Sequence, residues 1–274
     1  SVGEGGDYFG IAGSVAYMDF TNDAEAIIRS GAQINQDQTY WSDAQSISIS
    51  ATTEMELVNL AGVFDITLQA STIEELKQKK DPLAWLNPMG ASGDRGGFGG
   101  SAFLLFLDNT TKAEIEGEAT VHSGTAGGLS VTAETDILSI ALAQSGAKAG
   151  TFGISGTFSY TDLQNRTLAH IGSGAMITGG PVTIFAHDDT MHFNLVGGVM
   201  KGNNIGIGAS VGINAIDRET YAGIGNVIGA PGELAATDMN ITGNLTIDAN
   251  STGDIKVFSL AATIMTEKKI EKKE

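Results

Sequence analysis

One phrase of alternating residues recurs along this chain, and a recurring strand unit limits the possible folds more than any other feature. The phrase is Ala-x-Ile-x-x-x-Ala-x-Ile/Val. It occurs as Ala26, Ile28, Ala32, Ile34, as Ala113, Ile115, Ala119, Val121, and as Ala169, Ile171, Ala175, Ile177, and a shorter copy starts at Ala222 and Ile224. Small and β-branched residues alternating with polar ones mark a strand with one buried face. A strand unit that returns at a regular interval marks a solenoid, in which each unit buries its apolar face on the next.

The rest of the repeat follows in constant order. A glycine-rich strand comes first: Gly10 to Tyr17, Gly97 to Leu104, Phe152 to Tyr160 and Ile205 to Ile213. An aspartate follows each copy, Asp19, Asp108, Asp162 and Asp217, and reads as a turn, because aspartate bonds its own backbone there. After the Ala-x-Ile phrase comes a strand ending at Ala51, Ala133, Ala186 or Ala249, and then a more apolar strand. Four or five strands in about fifty-five residues fit two or three coils of a parallel β-helix. Small residues at inward positions let the coils approach, while Ile, Val and Leu fill the interior. The rival fold is an antiparallel sandwich, which has no reason to keep one register over four copies.

The step between copies is 56 residues from Ala113 to Ala169 and 53 from there to Ala222, but 87 from Ala26 to Ala113. One insertion, roughly residues 71–96, accounts for the excess. It carries a capping box in Ser71-Thr72-Ile73-Glu74-Glu75 and a second helix start at Asp81-Pro82. The expectation is a small helical hairpin with Ile73, Leu76, Leu83, Trp85 and Leu86 on its apolar side. The whole reads as a single solenoid of four repeats over residues 1–266, followed by a charged tail at 267–274 that reads as a helix, a frayed end, the start of a linker or a polar cap on the last rung. A chain that opens on Ser1 within turn-like sequence reads as processed or excised from something longer.

Composition narrows the partners. Fifteen basic residues against 32 acidic ones give a net charge of −17, whose field repels nucleic acid and anionic membranes. No apolar run is long enough for a membrane-spanning helix. With no cysteine, disulfides and thiolate metal sites are excluded. Thirty-seven glycines with only four prolines mark tight turns, not a disordered linker.

No catalytic constellation emerges, and no cofactor or metal site is expected. The Gly-Ile-Ser-Gly and Gly-Ala-Ser-Val-Gly phrases at 153–156 and 208–212 imitate a nucleophile elbow, but they sit inside repeating strands, where rung packing explains them. His187-Asp188-Asp189-Thr190-Met191-His192 holds four ligand-type side chains. On a strand, however, residues 187 and 189 face one way and 188 and 192 the other. The aspartates lack the Gly-Gly-x-Gly-x-Asp nonapeptide of a calcium-loaded β-roll. Five Asn-x-Ser/Thr sequons, at Asn109, Asn165, Asn240, Asn244 and Asn250, are what a chain rich in Asn and Thr contains by chance. Aromatic exposure is the better lead. Tyr40 and Trp41 in a turn region, with Leu83, Trp85 and Leu86 in the insertion, are the candidate partner contacts.

The phrase Gly206-Ile-Gly-Ala-Ser-Val-Gly-Ile-Asn-Ala-Ile-Asp217, followed by Tyr221-Ala-Gly-Ile and a Leu-Thr-Ile-x-Ala strand, resembles repeats of very large secreted bacterial surface proteins. These are the filamentous adhesins of the leukotoxin/filamentous-haemagglutinin type. The resemblance covers most of the chain outside 71–96 and the tail. It implies an all-β, right-handed parallel β-helix with a small helical insertion, a cell-surface location and no catalytic residue. The functional expectation is a non-enzymatic extracellular adhesin or fibre segment. Its end rungs carry unpaired edges able to stack copies into filaments, and it has a host or neighbouring-cell ligand as a possible partner. The alternative is a polysaccharide-active β-helix enzyme using Asp136, Asp188 and Asp189.

Overall fold

The computed structural model describes residues 8–62, 91–202, 204–226 and 236–265. The first coil holds β1 (Phe9–Ile28), β2 (Gln33–Ile34), β3 (Ser46–Ala61) and β4 (Ala91–Gly93). The second holds β5 (Gly96–Ile115), β6 (Thr120–His122) and β7 (Gly128–Ala149), and the third β8 (Phe152–Ile171), β9 (Met176–Gly179) and β10 (Val182–Gly202). The fourth holds β11 (Ile205–Ile224), β12 (Asp238–Ile241), β13 (Leu245–Thr252) and β14 (Ile255–Met265).

Like strands stack in parallel to form three sheets. The front sheet runs β1-β5-β8-β11, the short sheet β2-β6-β9-β12, and the back sheet holds β3 and β4, then β7, β10, and β13 with β14. This is a right-handed parallel β-helix. The repeats lock in the register that the sequence phrases share. Ala26, Ala113, Ala169 and Ala222 stack in one column, and so do Gly10, Gly97, Gly153 and Gly206.

Each repeat makes one wide coil, not two or three. The aspartates expected in turns lie inside the long strands, Asp19 in β1, Asp108 in β5, Asp162 in β8 and Asp217 in β11. They stand at outward positions of the alternation, where a carboxylate meets water without any turn. A twenty-residue strand spans about 65 Å while four stacked coils rise only about 19 Å, so the molecule is far broader than it is tall.

In cross-section each coil is a wedge. At the thin end the front and back sheets nearly touch: a side chain on Gly97 would come within 2.9 Å of the Lys148 carbonyl, and one on Gly99 would collide with the Gly146 carbonyl. At the broad end the short sheet holds them apart. The corner into the short sheet uses left-handed backbone at Gly31, Glu118 and Gly174. Between the two ends lie an apolar band around Phe103, Leu105, Leu107 and Leu163, a polar band, and a second apolar band around Ala113, Ile115, Val131 and Ile177. A fully buried aliphatic side chain contributes about 1.5–3 kcal/mol. The middle coils carry most of this term, since Ile115 and Ile171 are fully buried while Ile28 and Ile224 in the same column are only partly so.

The first coil is interrupted in its back strand. Ala61 pairs with Ala143 and Ala91 with Ala147, so β3 and β4 are two pieces of one strand on the same edge of β7. Residues 91–96, expected within the insertion, belong to the solenoid. Residues 71–90 lie outside the described residues, as does the tail at 267–274.

Candidate interaction surfaces

The end coils are open. Among the described residues no strand pairs with the outer edge of β1 and β3 or of β11, β13 and β14. Inward residues that are sealed in the middle coils are only half-covered here, and every residue of β13 is exposed. Long unpaired edges of this kind template further strand pairing.

The outer face of the front sheet is the surface that sequence reasoning missed. Along residues 9–17 the alternation is inverted: Gly10, Ala12, Ser14 and Ala16 point inward, and Phe9, Ile11, Val15 and Tyr17 point out. The other coils repeat this, with Phe98 and Leu104, Phe158 and Tyr160, and Ile207, Val211 and Ile213 outward. A groove of about 590 Å³ crosses all four coils, floored by Gly13, Gly100, Gly156 and Ala209 and walled on one side by Val15, Ala102, Phe158 and Val211. The signal was present in the sequence as large apolar residues alternating with glycine. Size alone points large apolar residues to the interior, but the thin end of the wedge has no room for them.

Inside, a ladder of amides runs through the polar band. Asn22 Nδ2 donates to Asn109 Oδ1 and Asn109 Nδ2 to Asn165 Oδ1, both at 2.7 Å. Asn165 Nδ2 continues to Asp188 Oδ1 at 2.9 Å. In the fourth coil Arg218 takes the asparagine position, and its Nε donates to Asp188 Oδ2 at 2.7 Å. Thr53, Thr111, Thr135 and Thr167 form a parallel chain of hydroxyls. The sequons at Asn109 and Asn165 are therefore sealed inside the fold, while Asn240, Asn244 and Asn250 are exposed.

The histidine–aspartate cluster divides as the strand alternation requires. Asp188 and His192 are fully buried and point in, and His187 and Asp189 point out. His192 bridges coils: Nδ1 meets Ser139 Oγ at 3.1 Å and Nε2 meets Asn214 Oδ1 at 3.0 Å. Burial holds its pKa below the usual imidazole value, and the bond to Asn214 opposes this in part. Asp136 and Asp189 occupy one outward column with Glu54, whereas Asp188 is committed to Arg218 on the other face. Among the described residues no group of three or more His, Asp or Glu side chains is placed to hold a metal ion.

Tyr40 and Trp41 lie between β2 and β3, at a 3₁₀ turn (Gln38–Tyr40) whose N-cap Asp37 accepts from the Thr39 amide. Trp41 is tied down. Its indole stacks on His122 with ring centroids 3.5 Å apart, and its Nε1 donates to the Asn35 carbonyl at 2.9 Å. Tyr40 is 76 % exposed and Trp41 42 %, so the pair presents an aromatic surface at the corner of the first coil. Leu83, Trp85 and Leu86 lie outside the described residues.

Among the described residues no helix is long and apolar enough to cross a membrane. Comparison with models of protein families, with curated proteins and with solved structures gives no match.

Proposed function

We propose that this chain is a non-enzymatic segment of an extracellular surface fibre, of the filamentous-adhesin kind its repeats resemble, extended by end-to-end stacking of coils. The open end coils carry this reading. Laying the fourth coil of one copy on the first coil of the next continues the columns like on like: Ile224 over Ile28, Ala222 over Ala26, Val211 over Val15, Ile207 over Ile11. Arg218 comes over Asn22 and prolongs the polar ladder. Among the described residues of the front sheet only Glu219 over Asp23 opposes like charges, and in the back sheet Asp254 comes over Glu56. A fold with rungs this wide gains several strands' worth of pairing at each junction, and Tyr40 and Trp41 then recur along the fibre as a regular display.

Negative-stain electron microscopy over a concentration series tests it. Stacks that lengthen with concentration, and lengthen further as salt screens the acidic surface, support the reading. A strict monomer at every concentration and salt removes it.

The glycan-cleaving alternative has one observation behind it, the outward column of Asp136 and Asp189 on adjacent coils. Activity against a glycan panel that is lost in Asp189→Asn would establish it.

A further inference from the structure

We propose that the outer face of the front sheet is a homodimer interface, in which two copies pair face to face with their solenoid axes parallel.

The argument starts from two glycines that the fold does not need. Gly99, Gly153 and Gly208 point into the thin seam, where a side chain would run into the opposite sheet. Gly100 and Gly156 point out. A side chain on Gly156 would meet nothing within 4 Å, and one on Gly100 only the Gly156 carbonyl at 3.9 Å. Neither has the positive φ that favours glycine. Glycine weakens a strand, and where neither packing nor backbone geometry requires it, it marks close approach by another body.

The shape of the face says which body. Ridges of Phe98 and Ile154 and of Phe158 and Val211 flank a floor of Gly100, Gly156 and Ala209. Turn a second copy about a two-fold axis that lies in the interface, parallel to the stacking direction and above the Ser101 column. Its Phe158–Val211 ridge then enters this floor coil for coil, and the reverse contact forms equally. Phe98 and Ile154 meet the second copy's Leu104 and Tyr160. The other in-plane two-fold, along the strands, sets floor on floor and ridge on ridge and leaves a void. The surface is thus self-complementary in one arrangement.

Area and charge agree with this occupant. Nine residues along four strands cover about 30 Å by 19 Å, roughly 600 Å² per copy and about 1,200 Å² in all, the lower bound for a stable specific interface. No charged residue points out of the front sheet between positions 9 and 17 of β1 or their equivalents, so the chain's −17 is left outside the contact. Asp19 and Asp162 stand at its rim.

Sedimentation velocity across a concentration range, with circular dichroism on each variant, tests the pairing. The expected result is a discrete species of twice the chain mass. Gly156→Leu, which fills the floor, and Phe158→Asp, which charges the ridge, each weaken it by about 100-fold or more with the fold retained. End-to-end stacking is a separate event: it gives an open series of sizes that these two variants leave intact, narrowing any filament from double to single width. A wild-type chain that stays monomeric or forms only single-width stacks up to about 100 µM overturns the proposal, and so does a Gly156→Leu variant that dimerises as wild type. A monomer whose face instead takes up an apolar dye or fatty acid overturns it in favour of a lipid or foreign chain.

Discussion

Gly99 and Gly100 are neighbours in β5, yet their surroundings separate the seam of this solenoid from its outer groove. Gly99 faces the seam, where the front and back sheets meet backbone to backbone, and any side chain there collides with Gly146. Gly100 faces open space, one residue away and on the opposite side of the same sheet. The seam glycine is imposed by the fold. The groove glycine is not, so its cause lies outside the single chain. The outer face of the back sheet makes the same point from the other direction. Leu138, Ile140, Leu142, Phe193 and Leu195 also point outward, but they are 0–5 % exposed, buried within this one chain. The back sheet thus has its outer apolar stripe covered, and the front sheet leaves its own to a partner.

The sharpest test of this contrast substitutes the two neighbouring glycines separately. Gly99→Val forces the sheets apart at the seam, and no cooperative thermal transition should remain. Gly100→Val should fold and lie within about 1 kcal/mol of wild type, since the strand gains a β-branched residue and loses nothing inside. If both variants fold equally well, the seam is not the tight contact described.

A second pair separates the two outer faces. Ile140→Asp places a carboxylate in the covered stripe and should destabilise by on the order of 4 kcal/mol in chemical denaturation, as an unpaired buried charge does. Phe158→Asp places the same carboxylate on the open face, where Phe158 is 38 % exposed, and should cost monomer stability only about 1 kcal/mol. Equal losses would mean that the front face is shielded too.

How far the sequence was readable follows from the same geometry. The register of the Ala-x-Ile phrase was readable, because Ala26, Ala113, Ala169 and Ala222 repeat at the positions that stack, but the four aspartates fall in two columns, Asp19 with Asp162 and Asp108 with Asp217. The length of the coil was not. Alternation looks the same in one twenty-residue strand as in two short ones, and Asp19 or Asp162 on a solvated face imitates a turn. The groove was hidden by the inverted pattern at residues 9–17, since size alone does not say which side of a strand is inside. Tyr40 and Trp41 were found by their type, but the His122 ring that holds Trp41 lies in the next coil and gives no local signal.

The polar band offers a smaller test, of inside against inside. Coils one to three pass hydrogen bonds between neutral amides, and the third meets the fourth through an ion pair, Asp188 with Arg218. Removing the Asp188 carboxylate leaves Arg218 only the Asp188 and Thr252 carbonyls and Asn165 only the Thr190 hydroxyl, with no counter-charge for the guanidinium, so Asp188→Ala should destabilise by about 2–4 kcal/mol. The loss should appear as early exposure of the fourth coil in hydrogen exchange, while β5 to β8 stay protected.

The least of the effects is set by pH, and it locates the boundary between the apolar and polar halves of the interior. The column that holds Met18 and Leu105 in the first two coils holds Thr161 and Asn214 in the next two, and His192 packs there in neutral form. Its folded pKa is depressed by burial. Below the unfolded value of 6.5 the unfolded chain binds a proton that the folded chain refuses, so stability falls as pH drops from 6.5 to the folded pKa and then levels. The slope in that window is at most about 1.4 kcal/mol per pH unit. His192→Asn keeps a polar side chain among Ser139, Asn194 and Asn214 but cannot take a proton, and it should remove that slope while leaving the curve above pH 7 parallel to wild type. Denaturant midpoints measured from pH 7.5 down to pH 5 decide it. An unchanged slope in the variant would place the acid sensitivity elsewhere and show that the third and fourth coils tolerate a charged imidazole between them.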